Sequence, residues 1–254
     1  MKTYLGHGDE VLDAKSSCDN SQIVSCGLDK TVILWDVSTG LPQKKWRGHA
    51  GTVNCVALNE DSTVAISGSI DATVKCWDMR SKSQEPIQTL DEMKDSVTCL
   101  LVTDHEIIIG SADGKVRTYD LRIGRMITDM ITYDANSAVA SVCLTSDGQC
   151  YLVNTTKTDD TLKLMDKTNG SLLQEYHGTA VNKKGYRIEA AIGFESKQVL
   201  CGSDAGQVIF WDLVKGSKTE TFSVKSDDIV HSLSYHPSKE EFVCASKNSL
   251  SNFL

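Results

Sequence analysis

The strings CGLDKTVILWD (Cys26 to Asp36) and GSIDATVKCWD (Gly68 to Asp78) share one pattern, and Trp35 and Trp77 stand 42 residues apart. The pattern continues. GSADGKVRTYD sets Tyr119 another 42 residues on, KTDDTLKLMD sets Met165 after 46, GSDAGQVIFWD sets Trp211 after 46, and SKNSLSNF sets Phe253 after 42. Upstream, Gly6-His7 and Gly48-His49 are also 42 apart, and each histidine precedes its tryptophan by 28. A period of this length describes one supersecondary unit that cannot bury its apolar face alone and must stack on its neighbours.

Each unit reads as short strands. In the second, Thr52 to Leu58 is apolar and β-branched, Asn59 to Ser62 is a turn, and Val64 to Ser67 is the next strand. Ile70 to Ala72 makes a tight reversal before a third strand at Thr73 to Trp77, and Gln43 to Arg47 or Ile87 to Leu90 supplies a fourth. No window carries a run of helical period. With three prolines and no linker-like stretch, the expectation is one all-β domain over residues 1–254. Its repeats fall at 6–47, 48–90, 91–131, 132–177, 178–223 and 224–254, with 1–5 as a closing strand.

Composition narrows the function. The net charge of −8 argues against a nucleic-acid surface spread over the chain, because phosphate binding needs clustered Lys and Arg. No apolar run reaches the roughly 18 residues of a membrane span, and MKTYLGHGDE lacks a hydrophobic signal region. The nine cysteines are single, with no CxxC spacing, which predicts a reducing compartment, cytoplasmic or nuclear, and no metal or other cofactor. GSADGK at Gly110 to Lys115 has the wrong spacing for a phosphate loop. Asp104-His105-Glu106 reads as a solvated turn, and Trp46 reads as packing in an outer strand.

Gly-His followed 28 residues later by Trp-Asp, at a period near 42, resembles the WD-repeat β-propeller family over residues 6 to 254. In order, EVLDAKSSCDN, RGHAGTVNCV, TLDEMKDSV, SDGQC and FWDLV resemble more closely the mitogen-activated protein kinase organiser family of WD-repeat scaffolds. The resemblance implies a β-propeller of four-stranded blades, six in this chain where the organiser family usually has seven. The first repeat would then be missing, and Lys2 to Leu5 would pair antiparallel with Ser249 to Phe253 to close the ring. It also implies a non-enzymatic platform for kinase-signalling or spliceosomal proteins, without direct contact to nucleic acid or membrane.

The same resemblance implies a buried hydrogen-bonded chain in each complete repeat. His7, Ser25, Asp29 and Trp35 would form it in the first, and His49, Ser67 or Ser69, Asp71 and Trp77 in the second. Asp113 and Trp211 are the remnants expected in the third and fifth repeats, with Asp91 in the third repeat's histidine slot. Ala205 takes the fifth repeat's aspartate slot and Gly178-Thr179 its Gly-His, while Asp159 and Lys247 mark the fourth and sixth turns. The His–Asp–Ser set has the residue types of a catalytic triad, but a nucleophilic site has no reason to recur at a fixed spacing, so no catalytic residue is assigned.

Two sets of residues remain as candidates for partner binding. Leu28, Ile70 and Ala112, each just before its turn aspartate, are expected to point out of the narrower face. Arg80 and Arg122 end matching Asp-x-Arg strings 42 apart. These resemble the box by which some WD proteins dock on a cullin ubiquitin-ligase adaptor, which gives an alternative function as a substrate receptor. The competing reading of each arginine is an ion pair within its own blade.

Overall fold

A computed structural model describes residues 2–131, 137–156, 162–177, 186–193, 196–224, 228–236, 239, 241–246 and 249–253. The side chains at 131, 249, 250, 251, 252 and 253 are not part of that description. The chain divides into two compact units, Met1–Asp129 and Met130–Leu254.

In the first unit the strands are consecutive in each sheet. The first sheet is β1 (Val11–Ser16), β2 (Gln22–Gly27), β3 (Thr31–Asp36) and β4 (Pro42–Arg47). The second is β5 (Val53–Leu58), β6 (Val64–Ser69), β7 (Val74–Asp78) and β8 (Gln88–Leu90). The third is β9 (Val97–Val102), β10 (Glu106–Ser111), β11 (Lys115–Asp120) and β12 (Arg125–Ile131), whose last residues cross the unit boundary. All pairings are antiparallel, as the short turn signals require.

The second unit repeats the plan with β13 (Val139–Leu144), β14 (Cys150–Thr155), β15 (Leu162–Asp166) and β16 (Leu172–Tyr176) in its first sheet. Its second sheet holds β17 (Ala190–Ile192), β18 (Gln198–Gly202), β19 (Gln207–Asp212) and β20 (Lys218–Ser223). The last sheet has three strands, β21 (Val230–Tyr235), β22 (Phe242–Ser246) and β23 (Ser249–Phe253).

Apolar packing runs between consecutive sheets, because each has two faces to cover and a neighbour on which to cover them. Val24, Val32, Leu34 and Trp46 of the first sheet interlock with Val53, Val56, Ala65 and Trp77 of the second. Cys55, Ile66, Val74 and Leu90 then meet Val97, Ile107, Ile109 and Tyr119 of the third. In the second unit Leu152, Leu162, Leu164 and Tyr176 pack on Val199, Cys201, Ile209 and Trp211. Six cysteines are buried in these strands as small apolar residues, and burial pushes the Cys76 thiol up to about 11 and Cys201 to about 12.

Two expectations need correction. Five of the sheets have four strands and the last has three, so the sequence does not make six four-stranded sheets. Lys2 to Leu5 also form no strand. Local contacts hold this segment against the first sheet: the Lys2 ammonium donates to the Val37 carbonyl at 3.0 Å and to that of Ser38, and the Tyr4 ring meets Trp35 edge-on at 5.7 Å.

Candidate functional site

Strand register fixes which residues are equivalent. Ser25 pairs with Ile33 across β2 and β3, and Ser67 pairs with Lys75 across β6 and β7. The same position holds Ile109 opposite Arg117, Val153 opposite Lys163, Cys201 opposite Ile209 and Cys244 opposite Ser251. Among these six positions only Ser25 and Ser67 carry a hydroxyl facing the tryptophan slot two residues further along the partner strand.

The second repeat shows what that hydroxyl does. The Trp77 indole N–H donates to Ser67 Oγ at 2.8 Å, and Ser67 Oγ lies 2.8 Å from His49 Nε2. His49 Nδ1 lies 3.0 Å from Asp71 Oδ2, so the consistent assignment runs from indole N–H to hydroxyl to Nε2, with Nδ1–H on the carboxylate. Asp71 also accepts from the Ala50 N–H at 2.8 Å, the Thr73 hydroxyl at 2.6 Å and the Thr73 N–H at 3.0 Å. The first repeat repeats this geometry. Trp35 to Ser25 is 2.7 Å, Ser25 to His7 Nε2 2.7 Å, His7 Nδ1 to Asp29 3.0 Å, and Asp29 takes Gly8 N–H at 2.9 Å and Thr31 Oγ1 at 2.7 Å.

Glycine at positions 6 and 48 has a steric cause. A Cβ on Gly48 would stand 2.9 Å from Trp77 Cη2, and one on Gly6 would stand 2.8 Å from Trp35 Cη2. The indole rim lies on bare backbone, and the next residue then presents its imidazole to the serine. Thr31 and Thr73 were missed by sequence reasoning, although Asp-x-Thr recurs in both strings at the same 42-residue spacing. Ser69, offered as an alternative to Ser67, is buried and accepts the Asp71 N–H at 3.2 Å instead.

This arrangement is unsuited to nucleophilic catalysis. Ser67 is 0% exposed, and its oxygen already has the indole donor and the imidazole as partners. Burial pushes the Asp71 carboxyl up, but the Thr73 hydroxyl, the Ala50 amide and His49 outweigh it and hold the group at about 2. The same balance, with Gly8, Thr31 and His7 as the donors, holds Asp29 well below the usual carboxylate range. Burial pushes His49 down against the pull of Asp71, so the second repeat carries an ionised carboxylate beside a neutral imidazole.

A pH signature follows. Because His49 titrates lower when folded, the unfolded chain binds the extra proton first, and stability falls as pH drops below about 6.5. Asp71 adds a second loss between about 3.9 and 2, where only the unfolded carboxyl is protonated. Thermal melts from pH 8 to 4 are expected to begin falling near 6.5, and His49→Asn is expected to remove that upper stage. A wild-type melting temperature that stays flat down to pH 5 would contradict the neutral, buried imidazole.

The other repeats differ, each for a visible reason. In the third, counting back from the strand places buried Met93, not Asp91, in the histidine slot, and Asp91 is exposed. Asp113 is instead held by Arg117, whose Nη2 donates to Oδ2 at 2.6 Å and whose Nη1 donates to Ser111 Oγ at 2.7 Å. Ser111 Oγ also donates to Asp113, and Arg117 Nε lies 3.4 Å from Asp129. Tyr119 accepts from Gln88 Nε2 at 2.7 Å. Trp211 was expected in a network of the same kind, but with Cys201 in its serine position the indole donates to the His177 carbonyl at 3.1 Å. Ala205 occupies the fifth repeat's turn, its N–H bonded to Ser203 Oγ at 2.9 Å. Asp159, Gly178, Thr179 and Lys247 lie outside the described residues.

The aspartate after the aromatic slot has its own task. Asp36, Asp78, Asp120, Asp166 and Asp212 each accept a backbone N–H from the turn that follows, at Thr39, Arg80, Arg122, Thr168 and Val214. Two of those turns carry the candidate arginines. Arg122 is paired inside its own turn, with Nη2 donating to Asp120 Oδ2 at 2.9 Å, while Arg80 is exposed. At the opposite end of the same three sheets, Ile70 is 54% exposed, and Leu28 and Ala112 are half-buried. Trp46 is buried against Trp77, with ring centroids 5.8 Å apart. GSADGK forms the β10–β11 reversal, with Gly114 at φ +75°, and Asp104-His105 turns β9 into β10. Among the described residues no helix is long and apolar enough to cross a membrane, which says nothing of strands.

Residues 13–188 match the family described as nucleolar protein 10-like, N-terminal domain, a β-propeller. WD repeat domain-containing protein 83 of Danio rerio is 50% identical, over 94% of this chain and 73% of its own length. The protein of that name in Rattus norvegicus is 47% identical, over 93% of this chain and 72% of its own. The Dictyostelium discoideum homolog is 32% identical, over 97% and 82%. With its sheet-per-repeat plan and its two complete Gly-His to Trp-Asp networks, the chain belongs to the WD-repeat family of β-propeller proteins that includes WD repeat domain-containing protein 83.

Proposed function

We propose that this chain is a non-enzymatic assembly platform whose clients are components of mitogen-activated protein kinase signalling or of the spliceosome, met in the cytoplasm and nucleus. The observation that carries the reading is the full internal use of the His–Ser–Asp–Trp groups. They are bonded to one another inside a sheet, so the residues that define each repeat build the frame and leave recognition to the loops at the sheet ends. Family membership supports the same reading at the level of a protein-interaction scaffold. The kinase and splicing clients rest on the resemblance to organiser scaffolds. The ubiquitin-ligase alternative rested on Arg80 and Arg122, and the Arg122–Asp120 pair lends it no support.

Affinity purification of the tagged chain from native extract, quantified by mass spectrometry, tests this proposal. The expected result is enrichment of kinase-pathway or splicing components over an unrelated propeller of similar charge. Recovery of a cullin adaptor alone, or of none of these classes, would overturn it.

A further inference from the structure

The loops that enter β1, β5 and β9 and the turns that leave β2, β6 and β10 meet at one end of the first unit. Backbone bonds stitch them together. Leu28 N–H donates to the Glu10 carbonyl at 2.9 Å, Ile70 N–H to that of Thr52 at 3.0 Å, and Ala112 N–H to that of Ser96 at 2.9 Å. Between repeats, Ser96 Oγ donates to the Ile70 carbonyl at 3.4 Å and Lys30 Nζ to the Ala50 carbonyl at 2.9 Å. The result is a continuous surface with the exposed Ile70 side chain at its middle and half-buried Leu28 and Ala112 to either side.

The charge around Ile70 is mostly of one sign. Asp9, Glu10, Asp91, Glu92 and Asp95 are exposed on the entering loops, against Lys30, Arg47 and Lys94. Lys30 is already committed to a carbonyl, and Asp95 immediately precedes the serine that touches both the Ile70 and Ala112 turns. Beneath this rim Asp71 stays ionised beside a neutral imidazole, so the buried network adds negative potential to the same end. An apolar side chain ringed by carboxylates is complementary to an apolar side chain ringed by cations.

Resting on the reading of the chain as a protein-binding platform, we propose that the Leu28–Ile70–Ala112 face takes a basic peptide segment. An aliphatic or aromatic side chain of that segment seats on Ile70, and flanking Lys or Arg residues meet Asp95, Glu10 and Asp9. Apolar contact supplies the anchor, and the carboxylates supply sign selectivity and steering.

Fluorescence anisotropy with the full chain and three labelled synthetic peptides tests this: Lys-Arg-Leu-Arg-Lys, Glu-Asp-Leu-Asp-Glu and Lys-Arg-Ser-Arg-Lys. The basic leucine peptide is expected to bind, more weakly as salt rises. The serine peptide should bind at least about tenfold more weakly, and the acidic one should show no saturable binding. Asp95→Lys and Ile70→Ser should each weaken the basic peptide by about tenfold or more with unchanged melting. Glu85→Lys, an equal charge change at the other end of the sheets, should leave binding as it is. Equal binding of the two charge types, no binding of the basic peptide, or equal losses at Asp95 and Glu85 would overturn the assignment. Wild-type clients that persist on the Asp95→Lys chain while the basic peptide fails to bind would discard this face and keep the platform. Loss of the expected clients from the wild-type purification would discard the platform, whatever the peptides do.

Discussion

Trp77→Ala is expected to lower unfolding free energy by about 3–5 kcal/mol, the range for emptying a fully buried aromatic site. Trp77 is 0% exposed, stacks on Trp46 at an interplanar angle of 25°, lies over Gly48 and belongs to the apolar cluster joining the first two sheets. Two milder variants separate packing from hydrogen bonding. Trp77→Phe keeps an aromatic ring but removes the donor to Ser67, whose loss is worth about 1 kcal/mol. Trp46→Phe removes a buried N–H that has no hydrogen-bond partner, so it should cost packing alone. Urea unfolding should therefore rank Trp77→Ala as the largest loss, with Trp77→Phe beyond Trp46→Phe. A Trp77→Ala chain that melts like the wild type would show that this indole does not hold the sheets together.

The strands and the two complete networks were legible because they rest on residue types at fixed spacing. Gly, His, Ser, Asp and Trp each supply something no other residue at that slot supplies, so their recurrence carries the geometry with it. Where the third repeat loses its histidine, the loop before β9 also changes length. A fixed 42-residue offset then lands on Asp91, whereas the strand register selects Met93. Arg117 was invisible for a different reason. A lone arginine in KVRTYD looks like the solvated side of a strand, as the equivalent Lys75 is, and only the pairing of β10 with β11 sets it over Ser111 and Asp113. Trp211 failed because the pattern was read from the tryptophan alone. Its acceptor stands ten residues earlier, and Cys201 there has no comparable oxygen to offer.

The Arg117 substitution makes the third repeat's stability depend on charge, where the first two depend on neutral donors and an imidazole. Its guanidinium is 3% exposed and is bonded to both oxygens of Asp113, to Ser111 and, at longer range, to Asp129. Removing one partner of such a pair leaves the other charge in a poor solvent, which costs about 3–5 kcal/mol when the remaining ion cannot reach water. Asp113→Ala does this to the better-buried partner, leaving Arg117 only the Ser111 hydroxyl and half-exposed Asp129. Arg117→Met removes the buried cation itself, and Asp113 keeps the Ser111 hydroxyl and the Lys115 N–H at 3.2 Å. Asp113→Ala is therefore expected to destabilise more than Arg117→Met, by at least about 1 kcal/mol in urea unfolding, and adding Arg117→Met to it should restore part of the loss. Equal costs, or a double variant worse than the sum of the two singles, would mean that the carboxylate shapes the turn and does not serve to neutralise the arginine.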